Sequence, residues 1–246
     1  MRTWRMMVTV ALAMGWPASG QSQTPEPGGE KPADPAMVDV ADVLGLPRVL
    51  LIGDSISLGY TLPVRARLAG IANVHRPAAN AGPTTVGVKD LDAWLHVGAA
   101  AGEPSKAWDV IHVNFGLHDL KIMKPGPDGG VRQVPPAEYE ANLRALIGRL
   151  RATGASLVWA STTPVPDAPQ KPMRLVADVV QYNGIAAQVM HDNGIPIDDL
   201  YGVVLPRESE IQIAANVHFT KAGYELLATQ VADAITSALA ARRAKP

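Results

Sequence analysis

Arg48-Val49-Leu50-Leu51-Ile52-Gly53-Asp54-Ser55-Ile56-Ser57 is the stretch that decides the fold. Four consecutive apolar residues, two of them β-branched, run into a glycine. That is the pattern of a parallel-sheet strand buried on both faces and closed by a tight turn. Ser55 then falls just past the strand's carboxyl end, where open α/β sheets place their ligands. A serine there is a candidate nucleophile, and its hydroxyl needs both a base and a site for an oxyanion. The plainer reading is that Ser55 only closes a strand-to-helix turn.

Downstream, apolar strands alternate with amphipathic helices. Short strands are expected at about 73–76, 108–115, 155–160 and 195–200. Helices are expected at about 85–100, 137–152 and 174–193, with a last one from just after Thr220 to about 242. In the second of these, Tyr139, Leu143, Leu146, Ile147 and Leu150 follow the 3.6-residue period. Gly194 ends the third as a C-cap, and Thr220 is a plausible N-cap for the last. Such alternation predicts a parallel sheet covered by helices on both faces. With about five strands, the simplest architecture is a flavodoxin-like three-layer α/β/α sandwich. Two long connections, at about 121–136 and 162–172, follow strand ends on the same rim as Ser55. Loops of that length inside a compact domain are usually functional or disordered.

The sequence has 246 residues, 47% of them apolar, with a formal net charge of −1. No basic block is present, so neither nucleic acid nor an anionic membrane is the expected partner. No apolar run reaches the ~18 residues of a membrane span. Residues 1–20 read as an export signal: Arg2 and Arg5, an apolar core from Met6 to Trp16, then small residues at Ala18-Ser19-Gly20. The alternative is a buried N-terminal helix. Residues 21–47, punctuated by Pro25, Pro27, Gly28, Gly29, Pro32 and Pro35, read as a spacer, which leaves 48–246 as the domain. With no cysteine there is no disulfide staple. The expectation is a periplasmic or secreted protein.

The candidate base is His218, in Asn216-Val217-His218-Phe219-Thr220 just before the last helix. Loops entering and leaving a parallel sheet meet at its rim, and an imidazole there can take the serine proton near neutral pH. The competing reading is a surface histidine near a helix start. The G-x-S-x-G elbow of α/β-hydrolases is not matched, because Ser57 stands where its last glycine would be.

Gly53-Asp54-Ser55, Gly82-Pro83-Thr84-Thr85, Gly116-Leu117-His118-Asp119 and Val217-His218-Phe219-Thr220 come in the order of the SGNH/GDSL hydrolase blocks, and the chain from Arg48 onward resembles that superfamily. The resemblance implies that Ser55 is the nucleophile and His218 the base. It implies an oxyanion hole of the Ser55 and Gly82 backbone N–H groups. His118 stands where the family usually carries an asparagine, and a histidine can donate there if the correct ring nitrogen is protonated, with Asp119 or Asn114 candidates to fix its tautomer. Asp54 becomes a turn-stabilising side chain. A second departure is Ala215, where the family commonly has an aspartate three residues before the histidine. Asn216 is the nearest polar residue, and an amide can orient the ring but cannot stabilise an imidazolium as a carboxylate does. A backbone carbonyl orienting His218 in a dyad, a carboxylate from Asp119 or Glu210, or a weak enzyme all remain open.

The function expected is an exported serine esterase acting on small acyl esters, acetyl foremost and carbohydrate esters among them, with no cofactor. Asn80, Asn114, Thr162, Thr163 and Tyr182 are expected to line the substrate rim. Tyr182 also reads as part of a helix face packed on the sheet. The alternative from another class is a catalytically weak carbohydrate-binding protein on the same scaffold. A metal-dependent hydrolase using His112, His118, Asp119 and His218 has suitable residue types but no tight ligand motif.

Overall fold

The computed structural model describes residues 34–100, 102–126 and 129–244. The expected export signal and the first part of the spacer lie outside the described residues.

Five parallel strands form the central sheet: β1 (Arg48–Ile52), β2 (Asn73–His75), β3 (Val110–Val113), β6 (Ser156–Ala160) and β7 (Ile197–Asp198), in the order β2-β1-β3-β6-β7. All five β1 residues are buried, as a strand with helices on both sides requires. Leu51 pairs with His112 and Ile52 with Val113. The chain runs outward from β1 to β2, then crosses to β3, so the order reverses between β1 and β3. That reversal opens a crevice at the strands' carboxyl ends. Ser55, at the start of α1 just after β1, and His118, in the loop after β3, flank it.

Helices α1 (Ser55–Arg67) and α7 (Lys221–Arg243) pack together on one face, while α2 (Thr84–Leu95), α3 (Pro136–Arg151) and α4 (Val176–Asp192) cover the other. The three-layer α/β/α sandwich is therefore as expected. The core faces keep the helical period: Leu227, Val231, Ile235 and Leu239 on α7, and the five anticipated α3 residues. Each such side chain, fully buried, stabilises the fold by about 1.5–3 kcal/mol.

Several boundaries move for identifiable reasons. The last strand shrinks to Ile197–Asp198 because Pro196 has no N–H to give the ladder and Asp199 turns to cap α5 (Leu200–Val204), accepting from Gly202 N at 3.0 Å. α4 starts at Val176, not 174, because Leu175 is extended, at φ −108° and ψ 139°, and forms its N-cap. α2 stops at Leu95, short of the expected 100. The connection at 121–136 is not irregular throughout: β4 (Ile122–Lys124) and β5 (Val131–Arg132) make an antiparallel hairpin. α6 (Glu208–Ile211) is likewise a short helix that periodicity does not announce.

Residues 34–47, expected as the end of a spacer, are tied onto the sheet edge. Asp42 accepts from Arg48 Nε at 3.1 Å and Lys106 Nζ at 2.8 Å and lies 2.7 Å from His75 Nε2. Asn73 exchanges hydrogen bonds with the backbone of Val43 and also binds the Leu46 carbonyl.

Candidate active site

Ser55 is the first residue of α1, immediately beyond β1. Asp54 caps the helix, its Oδ1 accepting from Ile56 N at 2.9 Å, as a turn-stabilising side chain should. Gly53 is required by space: a Cβ there would lie 2.8 Å from the Cβ of Ser57. The Ser55 N–H, in the first helical turn, has no acceptor within the helix and lies at the positive end of its dipole.

Ser55 Oγ lies 2.9 Å from His218 Nε2, although 163 residues separate them. The loop that delivers His218 is a tight reversal. Ile213 N–H donates to the His218 carbonyl at 2.9 Å, and Asn216 N–H to the Ile213 carbonyl at 3.0 Å. Ala215 takes the left-handed conformation at φ 52° to close it. Val217 and Phe219 are buried on either side of half-buried His218, so alternation directs the ring away from the core and toward Ser55.

The orienting group is Asn216. Its Oδ1 accepts from the His218 backbone N–H at 3.0 Å and lies 2.7 Å from His218 Nδ1. An atom that accepts from a backbone N–H must be the amide oxygen, so Nδ1 must carry the ring proton. Nε2 is then the lone-pair nitrogen, facing the Ser55 hydroxyl. The other orienters considered from sequence are elsewhere. Asp119 is fully buried, accepting from Thr84 N at 2.8 Å and Thr84 Oγ1 at 2.5 Å. It thereby caps α2, whose N-cap, Pro83, has no side chain able to do so. Burial pushes its carboxyl up to about 7, against the lowering effect of the Thr84 bonds. Glu210 makes no hydrogen bond to His218 among the described residues.

The oxyanion candidates divide. Gly82 takes the left-handed conformation at φ 63°, and its N–H donates to Asn80 Oδ1 at 3.1 Å. Asn80 is therefore engaged with that donor and is not simply a rim residue. His118 has its tautomer fixed by Lys121, which neither Asp119 nor Asn114 does: Lys121 Nζ lies 2.8 Å from His118 Nδ1. An ammonium has only hydrogens to offer, so Nδ1 accepts and Nε2 carries the proton. Burial first, and then the Lys121, Arg174 and His218 charges, lower the His118 pKa to about 4, so the ring is a neutral donor at neutral pH. Lys121 and Arg174 were missed from sequence; both sit in or beside the two long connections.

Four expected rim residues are committed inward. Tyr182 is fully buried, its hydroxyl donating to the Val134 carbonyl at 2.6 Å, so the helix-face reading is the correct one. Thr162 donates from Oγ1 to the Phe115 carbonyl at 3.1 Å. Asn114 Nδ2 binds the Ala160 carbonyl at 2.8 Å and joins the ends of β3 and β6. Thr163 is buried and borders, with Ser57 and Asn114, a cavity of about 10 Å³. The metal set is not assembled. His112 lies in the core with Nε2 2.9 Å from Asp198 Oδ2, and among the described residues no group of three or more His, Cys, Asp or Glu is placed to hold a metal ion.

A model of the GDSL-like Lipase/Acylhydrolase family matches residues 51–226. The chain belongs to that family. A search of curated proteins finds no match. Among solved structures, this GDSL-like hydrolase resembles a lipase/acylhydrolase from Enterococcus faecalis at 21% identity and a TM-score of 0.63, over 78% of this chain and 96% of that one. It resembles an acetyl xylan esterase, AlAXEase, at 17% identity and a TM-score of 0.61, over 76% of this chain and 99% of that one. A member of the lipolytic G-D-S-L family from Veillonella parvula is 20% identical with a TM-score of 0.55, over 77% and 98%. At these identities the likeness is one of fold. Family membership brings with it hydrolase chemistry of the esterase and lipase type.

Proposed function

We propose that this GDSL-like hydrolase is a serine esterase that removes small acyl groups, acetyl foremost, from carbohydrate esters. The observation that carries the reading is the 2.9 Å approach of Ser55 Oγ to a His218 nitrogen whose lone pair faces it. In the first half-reaction Ser55 Oγ attacks the ester carbonyl and its proton passes to His218 Nε2. The Ser55 N–H, the His118 Nε2–H and the Gly82 N–H, once Asn80 has yielded it, surround the developing oxyanion. His218 then returns the proton to the departing alcohol. Water, deprotonated by the same imidazole, releases the acid from the acyl-enzyme.

The preference for short acyl groups on sugars is supported by the acetyl xylan esterase among the fold relatives, an expected export signal, and a sequence without a long apolar lid. Export to the periplasm or beyond belongs to the same proposal. The observation favouring the second reading, a slow enzyme serving as a carbohydrate binder, is the uncharged Asn216 behind His218.

Labelling by a fluorophosphonate, with hydrolysis of 4-nitrophenyl acetate, tests the proposal. Covalent capture at Ser55 and turnover of the acetate are expected. A protein that takes no label and turns over no ester, yet binds acetylated polysaccharide, would be the binder.

A further inference from the structure

Two cations stand beside His118, and among the described residues neither is neutralised by an acid in an ion pair. Among the described residues, Lys121 Nζ gives one hydrogen bond, to the neutral His118 ring at 2.8 Å. Arg174 is only 8% exposed; its Nε donates to the Leu117 carbonyl at 2.7 Å and its Nη1 to the Pro172 carbonyl at 3.2 Å. Its Nη2 has no acceptor among the described residues, and neither side chain forms an ion pair there. The two are neighbours: Ile122 N–H donates to the Met173 carbonyl at 2.9 Å, and the Leu117 carbonyl that Arg174 holds precedes His118. Burial and the Arg174 charge both push the Lys121 ammonium down, and burial lowers Arg174 itself. Of the acids whose charge reaches them, Asp54 is spent on the α1 cap and Asp119 on Thr84.

A buried cation without a counter-ion is costly. Here the cost falls beside His118, in the loop that flanks the crevice, where a ligand could offset it. We propose that Lys121 and Arg174 form a subsite for a carboxylate carried by the ester substrate, so that the enzyme prefers acyl esters of acidic compounds, such as acylated acidic sugars, over neutral ones. The guanidinium fork suits a carboxylate geometrically, and Lys121 adds a point charge. The inference rests on the esterase reading. Its rival is that the two cations act only on the oxyanion, in which case charged and neutral esters profit alike.

The test compares matched pairs: 3- and 4-acetoxybenzoate against the corresponding acetoxybenzamides, and 4-nitrophenyl hydrogen succinate against 4-nitrophenyl butyrate. At least one anionic member is expected to have the higher kcat/KM, through a lower KM, with the preference shrinking as salt rises. In Arg174→Gln the anionic-to-neutral ratio should fall about tenfold, the size of one charge-assisted hydrogen bond. Lys121→Gln should lower it too, and keeps the test open if the buried arginine proves necessary for folding. An unchanged ratio in folded variants, or no anionic preference in the wild type, overturns the subsite. Loss of all turnover in the wild type would instead sink the esterase reading. Titration calorimetry with benzoate and succinate, wild type against Arg174→Gln, then decides the subsite alone: weaker binding to the variant supports it, equal or absent binding refutes it.

Discussion

One amide oxygen of Asn216 holds His218 at two points, the backbone N–H at 3.0 Å and the ring Nδ1 at 2.7 Å. The backbone contact identifies the atom as oxygen, which in turn dictates the tautomer of the ring. When an amide replaces the carboxylate of a serine-protease triad, turnover falls by on the order of 10⁴, largely because the wrong tautomer results. Here the tautomer is right, and what is missing is negative charge.

Asn216→Asp restores that charge in place. We expect a gain in kcat of about ten- to a hundredfold, the scale of a hydrogen bond to a charged group. The carboxylate favours the protonated ring over the neutral one. The base must be neutral to act, so the acid limb of kcat/KM should move to higher pH. Asn216→Ala should cost about tenfold or more by freeing the ring. A pH–rate profile of Asn216→Asp that superimposes on the wild type would point to another orienter.

On the proposed mechanism, Ser55→Ala removes the attacking hydroxyl and with it the acyl-enzyme. Ester turnover should drop by on the order of 10⁵ or more, and fluorophosphonate labelling should vanish, while the melting temperature stays close to that of the wild type. Near-normal turnover in this variant would place the chemistry elsewhere.

On the proposed mechanism, His118 and Lys121, 2.8 Å apart, act as a unit on the oxyanion. His118→Ala should lower kcat by about 10²–10³ with little change in KM, the signature of a lost transition-state donor. His118→Asn should recover much of that, since an amide N–H serves the same end. Lys121→Met removes the group that holds the ring proton on Nε2, and kcat should fall less than in His118→Ala. Pre-steady-state bursts with 4-nitrophenyl acetate separate acylation from release. A His118→Ala variant that acylates at the wild-type rate would remove this side chain from the oxyanion site.

What could be read in advance follows from what is local. A run of apolar residues ending in Gly53 is a strand and a turn whatever surrounds it, and a histidine just ahead of the last helix falls at the rim that the loops of a parallel sheet share. What could not be read depends on partners far along the chain. Asp119 looks like a site acid until Thr84, 35 residues away, is found to take its oxygen. Thr162 and Tyr182 look like rim residues because hydroxyls are counted as polar. Both instead satisfy buried carbonyls, those of Phe115 and Val134. Lys121 carries no motif, and its hold on His118 arises from the turn that precedes the β4–β5 hairpin.

Tyr182→Phe tests that correction. The hydroxyl's 2.6 Å bond to the Val134 carbonyl would be lost within the core. A stability loss of about 1 kcal/mol is expected by denaturant unfolding, with kcat and KM for acetyl esters unchanged. A raised KM with unchanged stability would return Tyr182 to the substrate side.

Asp119 supplies a pH signature of stability. Its folded pKa, about 7, lies above the ordinary carboxylate value of 3.8, with burial as the main cause. Between those two values the folded protein holds a proton that the unfolded chain has released, so this group's contribution to stability declines as pH rises from about 4 to about 7 and then levels off. Asp119→Asn keeps an oxygen to accept from Thr84 and cannot ionise. Its urea midpoint should therefore gain on the wild type steadily over that window and run parallel above it. Midpoints that stay parallel from pH 4 to pH 7 would mean that Asp119 is already ionised in the folded state.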